Sequence, residues 1–284
     1  MLVSLIGALF QTIFSGIDNV NYKKSLVYNP GILVFRFFGV LSEGSAAFIL
    51  ALFVKINFSE HLIFWMLMGV AVLNAFAGIL GQRAYTEEKI SVLMPYSKVD
   101  AVIIVIVSFF LFKDVSVFSF AVCMLILAIT IGANIDFKNF KMSKPVLYVI
   151  ISKIIYGIGG IVCGYALKHI TAYDFFVYDR VTFVIVLIIS MLLFATKLKK
   201  EDFVFPKQFY VCRYISSYTR MIGYFIGLLL ISELGLVMST ILGFLQMAVL
   251  LVMSYFMLGD KPSKRDLVLT GIVTVLVFIG LYFR

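Results

Sequence analysis

Long, nearly continuous apolar stretches are the feature that most constrains how this chain can fold. Each is close to the roughly 20 residues that cross a bilayer as a helix, whereas the strands of a membrane β-barrel alternate over short segments. Of the 284 residues, 62% are hydrophobic and only 14% are charged, against roughly 25% charged in soluble domains. We therefore predict an all-α integral membrane protein with ten transmembrane helices, at 2–20, 31–54, 61–82, 90–112, 115–135, 145–168, 173–196, 208–232, 234–258 and 264–283.

The two halves of the chain resemble one another. A shift of 144 residues places Gly16 on Gly160 and Arg36 on Arg180, and a shift of 146 residues aligns further pairs. These further pairs are Gly81 with Gly227, Glu87 with Glu233, Ser108 with Ser254, Phe110 with Phe256 and Asp114 with Asp260. We predict two five-helix repeats, 1–136 and 146–284, joined by a Lys-rich linker at 137–145.

An odd number of spans in each repeat means that the two repeats are inverted relative to each other. Inverted repeats place a binding site near the bilayer midplane and allow alternating access. The plan therefore favours a secondary transporter, which we expect in the plasma (inner) membrane. A membrane scaffold or interaction subunit is the alternative class.

Several local patterns resemble a known family. Asn29-Pro30 precedes Arg36 at the start of the second span, and Ala84-Tyr85 is followed by Leu93-Met94-Pro95. A short acidic turn, Lys113-Asp114 or Gly259-Asp260, follows the fourth span of each half. In these features and in its duplicated plan, the chain resembles the ten-helix, EamA-like branch of the drug/metabolite transporter superfamily. The resemblance implies a central cavity lined by spans 1, 3, 4, 6, 8 and 9, with spans 5 and 10 at the periphery.

The same six spans have polar residues on one helical face, at spacings such as i, i+4, i+7 and i+11. These residues are Gln11, Ser15, Asp18 and Tyr22; Asn74, Gly78, Gly81 and Tyr85; Ser91 and Lys98; Lys153 and Tyr156; Arg213, Ser217, Arg220 and Tyr224; and Ser239, Gly243 and Gln246. Spans 5 and 10 contain few polar residues. The pattern predicts a polar cavity at the centre of the bundle.

Three deep cations, Lys98, Lys153 and Arg220, are the main candidates for binding a substrate carboxylate or phosphate. An ionised side chain at the bilayer centre costs about 2.5–3.5 kcal/mol on insertion scales, so it faces a cavity or a partner. The alternative is a buried ion pair with an aspartate. Further substrate-binding candidates are Tyr96, Tyr156, Tyr218, Tyr224, Asn74, Gln246 and Arg213, and those for proton coupling or charge pairing are Asp18, Asp100 and Asp179.

Other polar residues in the spans favour structural roles. Arg36 and Arg180 are expected to snorkel or pair near the interface, and Glu43 is expected to pair with a neighbouring helix. Pro95 is the one proline inside a predicted span and is a candidate hinge. The pairs Gly160 with Gly164 and Gly223 with Gly227 favour close helix packing.

No motif for nucleotide hydrolysis, zinc proteolysis or a serine nucleophile is present, so we predict neither an enzyme nor a catalytic, metal or cofactor site. We also expect no nucleic-acid partner, since the net charge of +9 arises mainly in loops beside lipid headgroups. The predicted partners are the bilayer, a small substrate and an ion or proton gradient; a homodimer stays open. An amino acid or similar zwitterion is the first choice of substrate, and an anionic or phosphorylated metabolite is the second.

The loop charges and the family resemblance predict opposite orientations. Both termini should lie on one side, whose basic residues are Lys55, Lys113, Lys168 and Arg284. The other side has fourteen: Lys23, Lys24, Arg83, Lys89, Lys138, Lys141, Lys144, Lys197, Lys199, Lys200, Lys207, Lys261, Lys264 and Arg265. The positive-inside rule therefore places both termini outside, whereas the resemblance implies cytoplasmic termini.

Overall fold

A computed structural model describes residues 2–28, 30–88, 93, 96, 99–111, 116–132, 143–194, 198–258 and 263–282. Within these ranges the regular structure is helical, with no strand. The helices are α1 (Leu2–Leu26), α2 (Ile32–Phe53), α3 (His61–Glu87), α4 (Val99–Leu111), α5 (Val117–Gly132), α6 (Lys144–Ala166), α7 (Ala172–Leu193), α8 (Lys207–Leu234), α9 (Leu236–Gly243), α10 (Gln246–Leu258) and α11 (Lys264–Tyr282).

The helices have the length and surface of membrane spans. In the described ranges, seven segments are long and apolar enough to cross a bilayer, and α9 and α10 together form one of them. Three shorter apolar helices lie at Val99–Leu111, Val117–Thr130 and Leu267–Gly280. Large apolar side chains such as Trp65, Leu193 and Phe256 face outward, as expected where the solvent is lipid. The chain is an integral membrane protein.

Helix pairing follows a regular pattern. Helix α1 packs along α8, and α3 packs along α6. In addition, α4 contacts α6, α10 contacts α1, α2 contacts α7, and α5 contacts α11. The predicted packing role of the glycine pairs is confirmed: a Cβ at Gly160 would lie 2.6 Å from the Ile104 side chain, and one at Gly223 would lie 3.4 Å from the Gln11 carbonyl oxygen.

Apolar clusters surround the middle of the bundle. One joins α4, α5, α9 and α11 through buried residues such as Ile126, Ile241 and Val277. A second joins α2, α3, α6, α7 and α8 around Phe175 and Leu228. Members of both clusters, such as Ala101 and Phe175, also line the cavity described below.

The ninth predicted span is interrupted. Helix α9 ends at Gly243, the turn Phe244–Leu245 follows, and α10 begins at Gln246. Hydrogen bonds of the i→i−3 type replace the helical pattern here, as from Phe244 N–H to the Ile241 carbonyl at 3.1 Å and from Met247 N–H to the Phe244 carbonyl at 3.0 Å. The span predicted over 234–258 is therefore present, but as two helices rather than one.

Candidate functional site

A central cavity of about 650 Å³ lies between the helices. The predicted polar faces of the first, third, sixth, eighth and ninth spans all contribute to its lining, through residues such as Asn74, Tyr156 and Gln246. No described residue of α5 or α11 lines it. Helices α2 and α7 also line the cavity, so the six-span lining that the resemblance implied is too narrow.

Arg180 is at the centre of a buried charge network. Its Nη1 donates to Glu43 Oε2 at 2.6 Å, and its Nη2 donates to Asp179 Oδ2. The Tyr224 hydroxyl donates to the same Asp179 oxygen at 2.8 Å, and the Arg180 guanidinium lies 4.5 Å from the Phe183 ring centroid. Arg180 is only 7% exposed and is held by two carboxylates, so the expectation that it pairs is confirmed, as is the pairing of Glu43 with a neighbouring helix, and the expectation that it snorkels is wrong.

Arg220 extends this network to α1. Its Nε and Nη2 donate to the two carboxylate oxygens of Asp18 at 2.9 and 3.0 Å, and Ser216 Oγ donates to Asp18 at 2.5 Å. Arg220 Nη1 also lies 3.6 Å from Glu43 Oε1. Glu43 therefore lies between two guanidinium groups, each of which has a second carboxylate of its own.

Lys153 is paired as well. Its Nζ lies 3.3 Å from Asp100 Oδ2, with about a quarter of each side chain exposed, and 5.6 Å from the Tyr156 ring centroid. Of the three deep cations predicted to bind substrate, Lys153 and Arg220 thus have the aspartate partners that were the alternative interpretation. Lys98 lies outside the described residues, as does the hinge candidate Pro95.

Arg213 is buried without a carboxylate partner among the described residues. It is 3% exposed, and its Nε donates to the Phe35 carbonyl at 3.1 Å. Its guanidinium lies over the Phe35 ring, 4.2 Å from the centroid, and against Gly39, where a Cβ would collide with it. The Nη1 atom is buried with no hydrogen-bond partner. Arg213 lines the cavity, so it brings an unsatisfied, positively charged donor to the site; Nε of Arg180, another lining residue, is likewise buried with no hydrogen-bond partner among the described residues.

Arg36 is the second cation without a described carboxylate partner. Its Nη2 donates to the Asn74 carbonyl at 3.3 Å, and the guanidinium occupies the space left by the missing side chain at Gly78. Arg36 lines the cavity. The expectation of snorkelling or interfacial pairing is therefore wrong for Arg36, because Gly78 gives it room to turn inward.

Comparison with known proteins assigns the chain to a family. Residues 143–283, which extend from the start of α6 past α11, match the EamA-like transporter family. The chain belongs to the EamA-like transporter family, as the sequence resemblance indicated. That family is part of the drug/metabolite transporter superfamily, and its members are membrane transporters rather than typical enzymes.

Solved structures support the fold of this EamA-like transporter. One crystal structure of another protein superposes with a TM-score of 0.65, covering 99% of this chain and 95% of that chain. The two sequences are 11% identical, so the likeness concerns the fold alone. Curated proteins give no match.

Two predicted tyrosines do not line the cavity of this EamA-like transporter. Tyr96 packs beside Leu93 and Val149, outside the lining residues. Tyr218 is 41% exposed, and its hydroxyl lies 2.9 Å from Ser45 Oγ. Both tyrosines depart from the prediction because the spacing of residues along a helix shows which face a side chain lies on. It does not show which neighbouring helix covers that face. Tyr156, Tyr224, Asn74 and Gln246 do line the cavity.

Sequence reasoning missed the role of α2. Arg36, Val40 and Glu43 stand at i, i+4 and i+7, and all three line the cavity. The spacing places Glu43 on the same face as Arg36, two turns further along, but structural pairing was predicted for both charges rather than a place in the cavity lining. A search for stripes on every span, including α2, would have found it.

The cavity also contains unsatisfied acceptors. Gln11 Oε1 and Asn74 Oδ1 are buried, have no hydrogen-bond partner and belong to lining residues. Buried polar atoms are normally paired, and these two oxygens have no hydrogen-bond partner among the described residues. In the described part of the chain, no group of three or more His, Cys, Asp or Glu side chains has the arrangement of a metal site.

Proposed function

We propose that this chain is a secondary transporter for a small polar, charged organic metabolite, an amino acid or a similar zwitterion. The observation that best supports this is the unpartnered Nη1 of Arg213 in the cavity. A buried, unpaired charged donor costs free energy, and a substrate carboxylate would satisfy it with a charge-assisted hydrogen bond. The free oxygens of Gln11 and Asn74 would accept hydrogen bonds from a substrate ammonium group.

The proposal includes alternating access between two inverted five-helix repeats, 1–136 and 146–284, joined by 137–145. Helix pairing supports it. Exchanging the halves turns the pair α1–α8 into α6–α3 and the pair α4–α6 into α10–α1, whereas α2–α7 and α5–α11 map onto themselves. These pairs are therefore exchanged among themselves, as expected for two halves related by a two-fold axis in the membrane plane.

An anionic or phosphorylated metabolite is the second candidate. Among the described residues, five cations line the cavity, namely Arg36, Lys153, Arg180, Arg213 and Arg220, against the carboxylates of Glu43, Asp100 and Asp179. Even with Asp18 behind Arg220 included, one positive charge is in excess. A scaffold subunit is less consistent with the site, because an internally paired network would leave neither this cavity nor the free Arg213 donor.

A ligand screen tests the proposal. We would measure thermal unfolding of the purified protein with each common amino acid, with small mono- and dicarboxylates and with sugar phosphates. A ligand that binds only the folded state stabilises it by about 2.7 kcal/mol at a hundredfold excess over its Kd. We expect an amino acid to stabilise wild type, Arg213→Gln to lose at least about tenfold in affinity, and Arg83→Gln, at an exposed arginine, to behave as wild type.

The outcomes separate the candidates. Stabilisation by carboxylates or phosphates without an ammonium group would favour the anionic alternative. If no compound stabilises the wild type and none enters proteoliposomes containing it, the transporter proposal for these substrates is wrong. Equal affinity in Arg213→Gln and wild type would remove Arg213 from the binding site.

A further inference from the structure

We propose that the transported amino acid is an acidic one, whose α-carboxylate binds Arg213 and whose side-chain carboxylate binds Arg36. The inference rests on the proposed function, because it assumes that the cavity binds an amino acid through Arg213. It goes further by naming the chemistry of the substrate side chain and the residue that recognises it.

Two of the five described cations that line the cavity have no carboxylate partner. The other three, Lys153, Arg180 and Arg220, contact the carboxylates of Asp18, Glu43, Asp100 and Asp179. Within the described residues, Arg36 and Arg213 each donate one hydrogen bond to a backbone carbonyl and contact no carboxylate. The unpaired Nε of Arg180 adds no third site, because two carboxylates already compensate its charge. The two carboxylates of an acidic amino acid match the two unpaired guanidinium groups in number.

The net charge of the cavity favours the same substrate. Its described cations exceed its described carboxylates by one when Asp18 is counted, and an uncompensated charge away from water is costly. An amino acid with an uncharged side chain is neutral overall and leaves this excess. An acidic amino acid has one net negative charge at neutral pH and cancels the excess, whereas a dicarboxylate without an ammonium group would reverse its sign.

The two halves of the chain differ in the residues that surround their corresponding arginines. At the 144-residue register that aligns Arg36 with Arg180, both carboxylates that hold Arg180 correspond to apolar residues. These correspondences are Asp179 with Phe35 and Glu43 with Leu187. Arg36 is therefore the counterpart of Arg180 without its two carboxylates, and a ligand carboxylate would take their role.

Gly78 provides space for such a ligand group beside Arg36. At the 146-residue register it corresponds to Tyr224, whose ring centroid lies 5.0 Å from the Arg180 guanidinium. At Gly78 there is no side chain, and the Arg36 guanidinium lies where a Cβ would be. The Tyr156 hydroxyl lies 3.4 Å from the same point. A carboxylate here would meet two kinds of hydrogen-bond donor, a guanidinium and a hydroxyl.

The two unpaired guanidinium groups lie close to the same turn of α2. Arg213 lies against Gly39, which is three residues from Arg36, and residues at this spacing are helix neighbours about 5–6 Å apart at Cβ. Tyr22 interacts electrostatically with both arginines, and its ring centroid lies 5.9 Å from the Arg213 guanidinium. The cavity, of about 650 Å³, has the size of a small-molecule site, roughly 300–1,000 Å³. One small dicarboxylic amino acid is therefore a suitable ligand for both groups.

Matched pairs of amino acids test the inference on the wild-type protein. Glutamate and glutamine have nearly the same shape, as have aspartate and asparagine, but only the acids have a second carboxylate. We would measure thermal unfolding of the purified protein against the concentration of each. We expect the preferred acid to bind at least about tenfold more tightly than its amide, because the second carboxylate accepts charge-assisted hydrogen bonds. Glutarate and succinate, which lack the ammonium group, should bind more weakly than the acids.

Arginine variants assign the two carboxylates of the ligand. Arg36→Gln should remove the difference in affinity between acid and amide, and the charge-preserving Arg36→Lys should retain most of it. Arg213→Gln should weaken the binding of acid and amide alike, because both contain the α-carboxylate, and should keep the preference for the acid. Arg83→Gln, at an exposed arginine of α3, should bind both ligands as wild type does.

The outcomes distinguish this inference from the proposed function. If wild type binds the amides as tightly as the acids, the inference is wrong, while transport of uncharged amino acids stands. Equally tight binding of glutarate or succinate also contradicts it and favours the anionic alternative. If Arg36→Gln keeps the preference for the acid, Arg36 does not recognise the side chain; if this variant does not fold, the wild-type comparison and Arg36→Lys decide. If no amino acid binds wild type or enters proteoliposomes containing it, the proposed function fails and the inference fails with it.

Discussion

At the scale of single residues, the position of Arg213 depends on the missing side chain at Gly39. A Cβ there would overlap the guanidinium, so Gly39→Ala would displace Arg213 from its contacts with Phe35. Overpacking of this kind costs about 1–3 kcal/mol, although alanine normally stabilises a helix relative to glycine by about 1 kcal/mol. We expect Gly39→Ala to lower the stability to thermal unfolding in detergent and to weaken binding of any ligand of Arg213.

The matched control is Gly69→Ala on α3. Nothing lies within 4 Å of a Cβ at Gly69, and the residue is exposed to the lipid side. Its substitution should leave the stability unchanged or raise it slightly. If the two substitutions had equal effects on stability, the Arg213 guanidinium would be able to move aside without loss of free energy of unfolding. Gly39 would then not be needed to position Arg213.

Residue pairing was the part of the site that the sequence predicted least completely. Helical spacing placed Arg213, Tyr224 and Asn74 on faces that meet in the cavity, and it raised the aspartate pairing of Lys153 and Arg220 as an alternative. It could not decide between binding and pairing, because the partner of each cation comes from another helix. That choice depends on the packing of α1 against α8 and of α4 against α6, which spacing along one helix does not encode.

At the scale of the elements, the connection between α8 and α9 consists of one residue in a conformation that favours glycine. Gly235 has φ of 82° and ψ of 164°, and its N–H donates to the Ile231 carbonyl at 2.9 Å. A side chain in this region of backbone space costs about 1–3 kcal/mol. We expect Gly235→Ala to destabilise the protein by that amount in unfolding experiments, even though no atom lies within 4 Å of its Cβ.

The control for Gly235 is Gly271→Ala on α11. It also has open space around its Cβ but lies within a helix at ordinary dihedral angles, so alanine should be neutral or stabilising there. If Gly235→Ala were as stable as Gly271→Ala, the tight turn would have to relax to a conformation open to all residues.

Most helix positions followed from apolar length alone, and the departures have physical reasons. The first span was predicted to end at residue 20, but α1 continues to Leu26, because residues 21–26 are mostly polar, with Lys23 and Lys24 among them, and apolar length cannot detect a helix that continues past the apolar stretch. The break at Phe244–Leu245 was not predicted because no proline marks it in the sequence.

At the scale of the whole molecule, the sequence pattern and the fold agree on where polarity lies: apolar side chains cover the outside of the helix bundle, and charged side chains lie in its interior. The resemblance added the expectation of a central cavity, which the structure contains. The stripe of Arg36, Val40 and Glu43 predicts the entry of α2 into the lining, whereas Asp179 and Arg180 of α7 are consecutive residues that define no such stripe.

The distribution of loop charges predicts how the molecule lies in the membrane. If the ten-span topology predicted from the sequence is correct, fourteen basic residues fall on the side opposite the termini and four on the side of the termini, and short loops rich in Lys and Arg stay in the cytoplasm. We therefore expect a C-terminal reporter that works only in the cytoplasm to be inactive, and one that works only outside to be active. The same pair inserted between α1 and α2 should give the opposite result, which controls for expression. Cytoplasmic activity at the C-terminus would show instead that the orientation implied by the family resemblance is correct, and that the basic residues beside α6 and α8 do not determine the topology.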